Sequence, residues 1–145
     1  MSRRKRYTRN LGRAVPSPLP ARVTVEWVRF EHEHQPYGVF FWLDDARSKL
    51  GPEECAEITH LHRWFDEHLH APDLDDRAKD RFWFCAEAEE HVTRARRLAE
   101  LVIQAGIPIV ERRTTRVPGK VRWHDSHQVG VLTYRDAPRS RRGAP

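Results

Sequence analysis

The stretch "RFWFCAEAEEHVTRARRLAELVIQAGIPIVERRTT" (81–115) decides the fold class, because two strand patterns enclose one amphipathic helix pattern. Residues 81–85 are apolar on both faces, which is typical of a strand in the middle of a sheet. Acidic side chains gather at the start of 86–106, and Gly106 closes that segment, as expected of a helix. Residues 107–115 form the second strand pattern, so we expect a strand–helix–strand unit.

A second helix is predicted upstream, over the segment "GPEECAEITHLHRWFDEHLH" (51–70). Gly51 and Pro52 suit the cap and the first helical position. Apolar side chains recur on one face of this helix and should point into the core; they are Ile58, Leu61, Phe65 and Leu69.

Further strands are predicted towards both ends of the chain. Residues 23–30 alternate apolar and polar side chains, and 37–43 ("YGVFFWL") are continuously apolar, so 31–36 should be the turn of a hairpin. The stretch "GKVRWHDSHQVGVLTY" (119–134) supplies a final hairpin. Together these segments predict an α+β fold. We expect a mixed β-sheet of about five to six strands, with two helices packed on one face, in the order ββαβαβββ.

One folded domain is expected over 22–135, between a basic, proline-rich flexible arm at 1–21 and a basic flexible tail at 136–145. The net charge of the chain is +5, but the arm carries six cations and no acid, and residues 135–145 add a net +3. Residues 14–134 therefore carry a net charge of −4. A cationic arm can bind the phosphates of a nucleic acid, or it can serve only as a solvating extension. The candidates for nucleic-acid binding are Arg3, Arg4, Lys5, Arg6, Arg9 and Arg13.

The register of the last hairpin follows from its side-chain pattern. A three-residue loop at 125–127 pairs Trp123 with Val129 and brings their apolar side chains together. The same loop pairs Val121 with Val131. A two-residue loop would instead mix apolar and polar side chains on one face.

This register places His124 and Gln128 opposite each other on the outer face of the sheet, close to Arg122, where they form a candidate binding surface. The candidates for catalysis are His124, Asp125 and His127, because imidazole and carboxylate groups transfer protons and bind metals. Neighbouring residues of a strand diverge, whereas a metal site needs three or four converging ligands. No metal is therefore expected here.

A second candidate binding surface lies on the upstream helix. His60, Trp64 and His68 follow one another at i, i+4 and i+8, on a stripe away from the predicted core face. A tryptophan outside the core face needs another partner, which could be a segment of this chain, a second subunit or a ligand.

Several protein classes are disfavoured by the composition. No apolar run reaches 18 residues, and the N-terminus lacks the apolar region of a signal peptide, so we expect a cytoplasmic protein without a membrane partner. Cys55 and Cys85 lack a Cys-x-x-Cys spacing and are expected to stay reduced. No phosphate loop, nucleophile elbow or zinc motif occurs, so no cofactor is expected.

Over residues 81–132 the chain resembles a group of small bacterial proteins, and the resemblance extends to "WFDEHLHAP" (64–72). The positions that carry it are Trp83-Phe84 before the helix, Pro118-Gly119, Asp125, and Gln128-Val129. The resemblance implies a shared fold. No activity is established for that group, so the resemblance transfers no site residue.

These observations favour a small non-catalytic binding or accessory protein, whose partner is another protein or a second copy of the chain. One alternative is a nucleic-acid-associated protein that uses its basic arm and tail. Another is a small hydrolase or nuclease that uses the histidines and the aspartate of the last hairpin.

Overall fold

The computed structural model of this protein describes residues 25–70 and 80–133; the predicted arm and tail, 1–21 and 136–145, lie outside them. The strands are β1 (Trp27–His32), β2 (Arg81–Cys85), β3 (Ile109–Thr114), β4 (Lys120–His124) and β5 (Gln128–Leu132). The helices are a 3-10 helix (Val39–Trp42), α1 (Leu43–Arg47), α2 (Pro52–His68) and α3 (Glu89–Gln104). The predicted α+β fold is confirmed.

The five strands form one sheet in the order β3-β1-β2-β5-β4, and each neighbouring pair is antiparallel. The predicted strand–helix–strand unit is β2–α3–β3. Its two strands run in the same direction, but β1 lies between them and pairs antiparallel with both. The expectation of a mixed sheet is therefore wrong for the described strands, because β1 takes the hydrogen bonds that a direct parallel pair would use.

The predicted strand at 37–43 is also wrong, since this segment forms the 3-10 helix and the beginning of α1. A continuous apolar run fits a buried strand and a buried helix equally well by periodicity. Val39, Leu43 and Ala46 are buried at helical spacing, whereas Phe41 between them is 58% exposed. Burial on one side of this segment therefore follows the helical period and not the strand period.

The main core lies between the sheet and the helices, which all pack on one face. The predicted core stripe of α2 is confirmed, with Ile58, Leu61 and Phe65 buried and Leu69 packed against the core at its edge. The sheet and α3 contribute most of the remaining core side chains, which include Val28, Phe30, Phe84, Val92, Leu98 and Val102. Gly106, with φ of 92°, follows α3 in the left-handed conformation that commonly ends a helix.

The last hairpin differs from its predicted register by one β-bulge. Val121 pairs with Val131 as expected, but a register shift follows, and Trp123 pairs with Gly130 instead of Val129. The bulge turns the Trp123 ring to the helix face, where its centroid lies 6.1 Å from that of Phe82. Burial of the largest side chain in the hairpin thus accounts for the shift.

Candidate functional site

The neighbouring strands β1 and β2 separate from each other over part of their length. β1 and β2 are paired only at Trp27 with Cys85 and at Val28 with Phe84. Beyond these pairs lies a cavity of about 590 Å³, bounded by the two strands, by residues 36–41 and by α2. Part of the segment that follows β1, including residues of the 3-10 helix, covers one side of the cavity.

Seven phenylalanine and tyrosine rings line the cavity. Phe30, Phe82 and Phe84 come from the sheet, while Phe40 and Phe65 meet edge to face with their centroids 5.0 Å apart. The rim carries a second pair, Tyr37 and Phe41, which stack at 4.2 Å and are both exposed. The wall therefore favours a ligand with a large apolar or ring-shaped body.

Arg29 closes the gap between the separated strands. Its Nε donates to Glu31 at 2.6 Å, and its two terminal nitrogens donate to the carbonyl oxygens of Phe82 at 3.0 Å and Pro36 at 2.8 Å. The residue is only 7% exposed. Burial lowers the pKa of the guanidinium below its usual value, and the hydrogen bond to Glu31 opposes that shift. Arg29 is therefore held inside the fold as a charged structural clamp.

The opposite end of the cavity is polar. Gln128 donates its side-chain amide to the carbonyl oxygen of His70 at 2.8 Å and so ties β5 to the end of the α2 segment. Asp66 and Asp80 also line the cavity. The side chain of Asp80 is fully buried, with Nε of Arg122 at 3.6 Å from one carboxylate oxygen. Further polar residues of the lining are His62, His70 and Arg81. The cavity thus combines aromatic rings with polar groups, as small-molecule sites commonly do.

A cluster of aromatic and imidazole rings joins the end of α2 to the start of α3. His91 is 6% exposed, and its Nε2 donates to the carbonyl oxygen of His68 at 2.9 Å. Its ring stacks on His127 at 4.2 Å and meets Trp64 nearly edge to face at 4.9 Å. Arg94 covers the Trp64 ring at 4.1 Å. Trp64 therefore finds its partners within this chain.

Of the three residues of the predicted stripe on α2, only two contact each other. Trp64 and His68 stack at 4.2 Å, while His60 lies exposed one turn earlier. The binding role predicted for these three residues stays a prediction.

The catalytic candidates of the hairpin have separate environments. Asp125 accepts hydrogen bonds from the backbone amides of His127 and Gln128, at 2.8 and 3.0 Å, which holds the turn. His127 stacks on α3, whereas His124 lies opposite Val129, on the face turned away from the helices. Within residues 25–70 and 80–133, no three His, Cys, Asp or Glu side chains are placed to hold a metal ion.

The prediction that Arg122, His124 and Gln128 share the outer face of the sheet is wrong for Gln128. Gln128 is 3% exposed and lies on the helix face of the sheet, because it stands beside the core residue Phe84 of β2, its pairing partner. Arg122 is half-buried beside Asp80.

Arg29 and His91, whose side chains connect separate segments of the fold, were not identified from the sequence. A charged side chain in the middle of an apolar strand was the signal for Arg29. His91 stands four residues before Ala95 and seven before Leu98, so it continues the buried stripe of α3. The cavity itself had no signal, because it is lined by residues far apart in the chain.

No protein family, no curated protein and no solved structure matches this chain. The resemblance to small bacterial proteins therefore carries no argument about function. The fold and the cavity define an α+β protein with an aromatic cavity of ligand size. Across the described parts of the chain, no helix is long and apolar enough to cross a membrane.

Proposed function

We propose that this chain is a non-catalytic binding protein, which takes up a small, largely apolar molecule in the cavity between β1, β2 and α2. The observation that carries the proposal is the cavity of about 590 Å³ with its aromatic wall. Small-molecule sites commonly have volumes of roughly 300–1,000 Å³ and combine apolar walls with a few polar groups.

Two polar groups of the cavity, Arg29 and Gln128, support binding more than catalysis. Arg29 is engaged by a carboxylate and two carbonyl oxygens, and Gln128 by the carbonyl of His70. A general acid or base has to reach the reacting atoms of a substrate, whereas these groups hold the walls of the cavity together. The hydrolase alternative would need the hairpin histidines and Asp125 to converge, and each has a different neighbour.

The nucleic-acid alternative depends on the six cations of the arm, which lie outside the described residues. It remains a separate hypothesis. A chain that lacks residues 1–13 should lose affinity for polynucleotides under that hypothesis and should keep its small-molecule binding under ours.

Filling the cavity should abolish binding. Leu69 lines it and is half-buried, so a Leu69→Trp substitution places an indole where the ligand would lie. We expect the saturation-transfer NMR signal of a naphthalene probe, 1-naphthylmethanol, to disappear in this variant. The matched control is Ile103→Trp, which adds the same ring at an exposed position of α3. Equal binding to both variants would place the probe elsewhere and contradict the proposal.

A further inference from the structure

We infer that the proline-rich segment at 15–20 of this chain binds to the outer face of the sheet, which is the face turned away from the helices. The site is an apolar surface around Trp27 of β1 and Trp83 of β2. Its residues do not line the cavity, so this inference is independent of the proposed function.

An apolar cluster, separate from the main core, occupies the outer face of the sheet. Its members, which we call the outer patch, are Val25, Trp27, Trp83, Cys85, Val121, Val129 and Val131. Strand pairing places them on one face, since Trp83 stands opposite Val129 and the side chains of paired residues point the same way. Val28 and Phe84, which alternate with the patch residues along β1 and β2, belong to the main core on the helix side.

The outer patch is too well buried for a sheet face without a cover. Trp27 is 5% exposed, and Val129 and Val131 are 0% exposed. All five residues of β5 are buried, although a strand with one solvated face normally alternates buried with exposed side chains. Neighbours within a sheet cover only the flanks of a side chain, so a second layer must lie above the patch. The described helices pack on the other face and do not supply that layer.

The segment that precedes β1 has the composition of such a cover. Residues 14–21 ("AVPSPLPA") carry no charge and contain three prolines beside Val15 and Leu19. Proline-rich segments bind to aromatic side chains in an extended form, and they lose little conformational entropy because the ring fixes φ. The segment after β5 is a poorer cover, since residues 134–145 hold four arginines, and arginine is rarely buried unless it is paired.

The length of the intervening chain allows this placement. Val25 is itself a member of the outer patch and lies two residues before β1. An extended chain spans at most about 3.5 Å per residue, so the stretch from Pro20 to Val25 reaches up to about 17 Å. Neighbouring strands lie about 4.8 Å apart, so β5, the second strand from β1, is roughly 10 Å away. The segment at 15–20 can therefore cross β2 and reach the valines of β5.

Disulfide trapping in the full chain tests where this segment binds. Ser17 lies between Pro16 and Pro18, so Ser17→Cys keeps all three prolines, and Cys85 is a thiol within the outer patch. We expect oxidation by copper phenanthroline in air to give a monomer with a disulfide between positions 17 and 85, identified by peptide mass spectrometry. This disulfide should form about tenfold faster than the corresponding one in the control Ser2→Cys, because binding raises the effective concentration of the two thiols.

The same oxidation distinguishes the other occupants of the patch. Faster coupling of Cys85 in Ser140→Cys would assign the patch to the C-terminal segment, and dimers linked through Cys85 would assign it to a second copy of the chain. Either result would overturn the inference. Equal rates for Ser17→Cys and Ser2→Cys, or equal coupling of position 17 to Cys55 on α2, would overturn it as well.

A substitution within the segment tests whether its apolar side chains hold it on the sheet. Leu19→Asp should uncover the outer patch and raise the rate of N-ethylmaleimide labelling at Cys85 about tenfold, without changing the rate at Cys55. The matched control is Leu11→Asp, which makes the same change outside 15–20 and should alter neither rate. Equal labelling of Cys85 in the unmodified chain and in Leu19→Asp, or an equal rise at Cys55, would contradict binding of this segment to the patch.

Discussion

His91 is a buried imidazole whose environment favours its neutral form. Burial lowers its pKa below the usual value, and the hydrogen bond to the carbonyl oxygen of His68 opposes that shift. His127, stacked on the ring, adds to the lowering, while the Asp125 carboxylate acts in the opposite direction. Because the carbonyl can only accept, the Nε2 of His91 carries a hydrogen and the tautomer is fixed.

This lowered pKa makes the stability of the fold depend on pH in a definite direction. Above pH 6.5, the ordinary value for histidine, neither the folded nor the unfolded chain binds a proton at His91. As the pH falls below 6.5, the unfolded chain binds a proton that the folded chain does not, until the lower pKa of the folded state is reached. His91 should therefore reduce the free energy of unfolding over that acidic window.

The corresponding test compares two histidine substitutions. We expect the urea midpoint of the unmodified chain to fall between about pH 7.5 and about pH 5.5, and to fall less in His91→Gln, which keeps a side-chain donor without the titration. His60→Gln is the control, because His60 is exposed. An identical fall in all three proteins would show that His91 does not titrate in this way.

At the scale of the elements, the β4–β5 hairpin depends on a missing side chain. Gly130 lies between Phe82 on β2 and Trp123 on β4, as their strand partner in each case. A Cβ at Gly130 would lie 2.7 Å from the Phe82 ring, closer than such atoms normally approach. Glycine therefore allows the two aromatic rings to meet above the sheet.

We expect Gly130→Ala to lower the free energy of unfolding by about 1–3 kcal/mol, because the added methyl group forces the Phe82 ring out of its position. In a chain that also carries Phe82→Leu, the same glycine substitution should cost clearly less. Urea denaturation of the four proteins of this cycle measures the coupling. Additive effects of the two substitutions would mean that the contact at Gly130 is not what opposes the alanine.

At the scale of the whole molecule, the exposed aromatic surface lies at the rim of the cavity. Tyr37 and Phe41 stack there and are exposed, whereas Trp64 is covered by His68, His91 and Arg94. Contacts between copies of the chain should therefore involve the rim and not the stripe of α2.

Light scattering over a range of protein concentrations tests whether copies of the chain associate through the rim. We expect the average mass to rise with concentration, and we expect Phe41→Ser to remove that rise because it breaks up the exposed pair. Trp64→Ala should lower stability and leave the rise in place, since its ring packs within one chain. A constant monomer mass at every concentration would exclude self-association.

The sequence alone was sufficient to predict α2, α3 and β2 and the last hairpin. Their signals are local: Pro52 at a helix start, Gly106 after a helix end, and an apolar stripe at helical spacing. Each follows from steric and hydrogen-bonding rules that act within a few residues. The segment 37–43 was misassigned because a short apolar run satisfies the rules for a strand and for a helix.

Only the tertiary structure decided where β1 and β2 separate and what lies in the gap. Gln128 meets the backbone of His70, 58 residues away, and Arg29 meets that of Phe82, 53 residues away. Local periodicity carries no information about such distant pairs. Burial of Trp123 then shifted the hairpin register through a bulge, because filling the core outweighed regular pairing. Local sequence signals thus determined most of the elements of this protein, whereas the form of residues 37–43 and the cavity were decided by packing between distant residues.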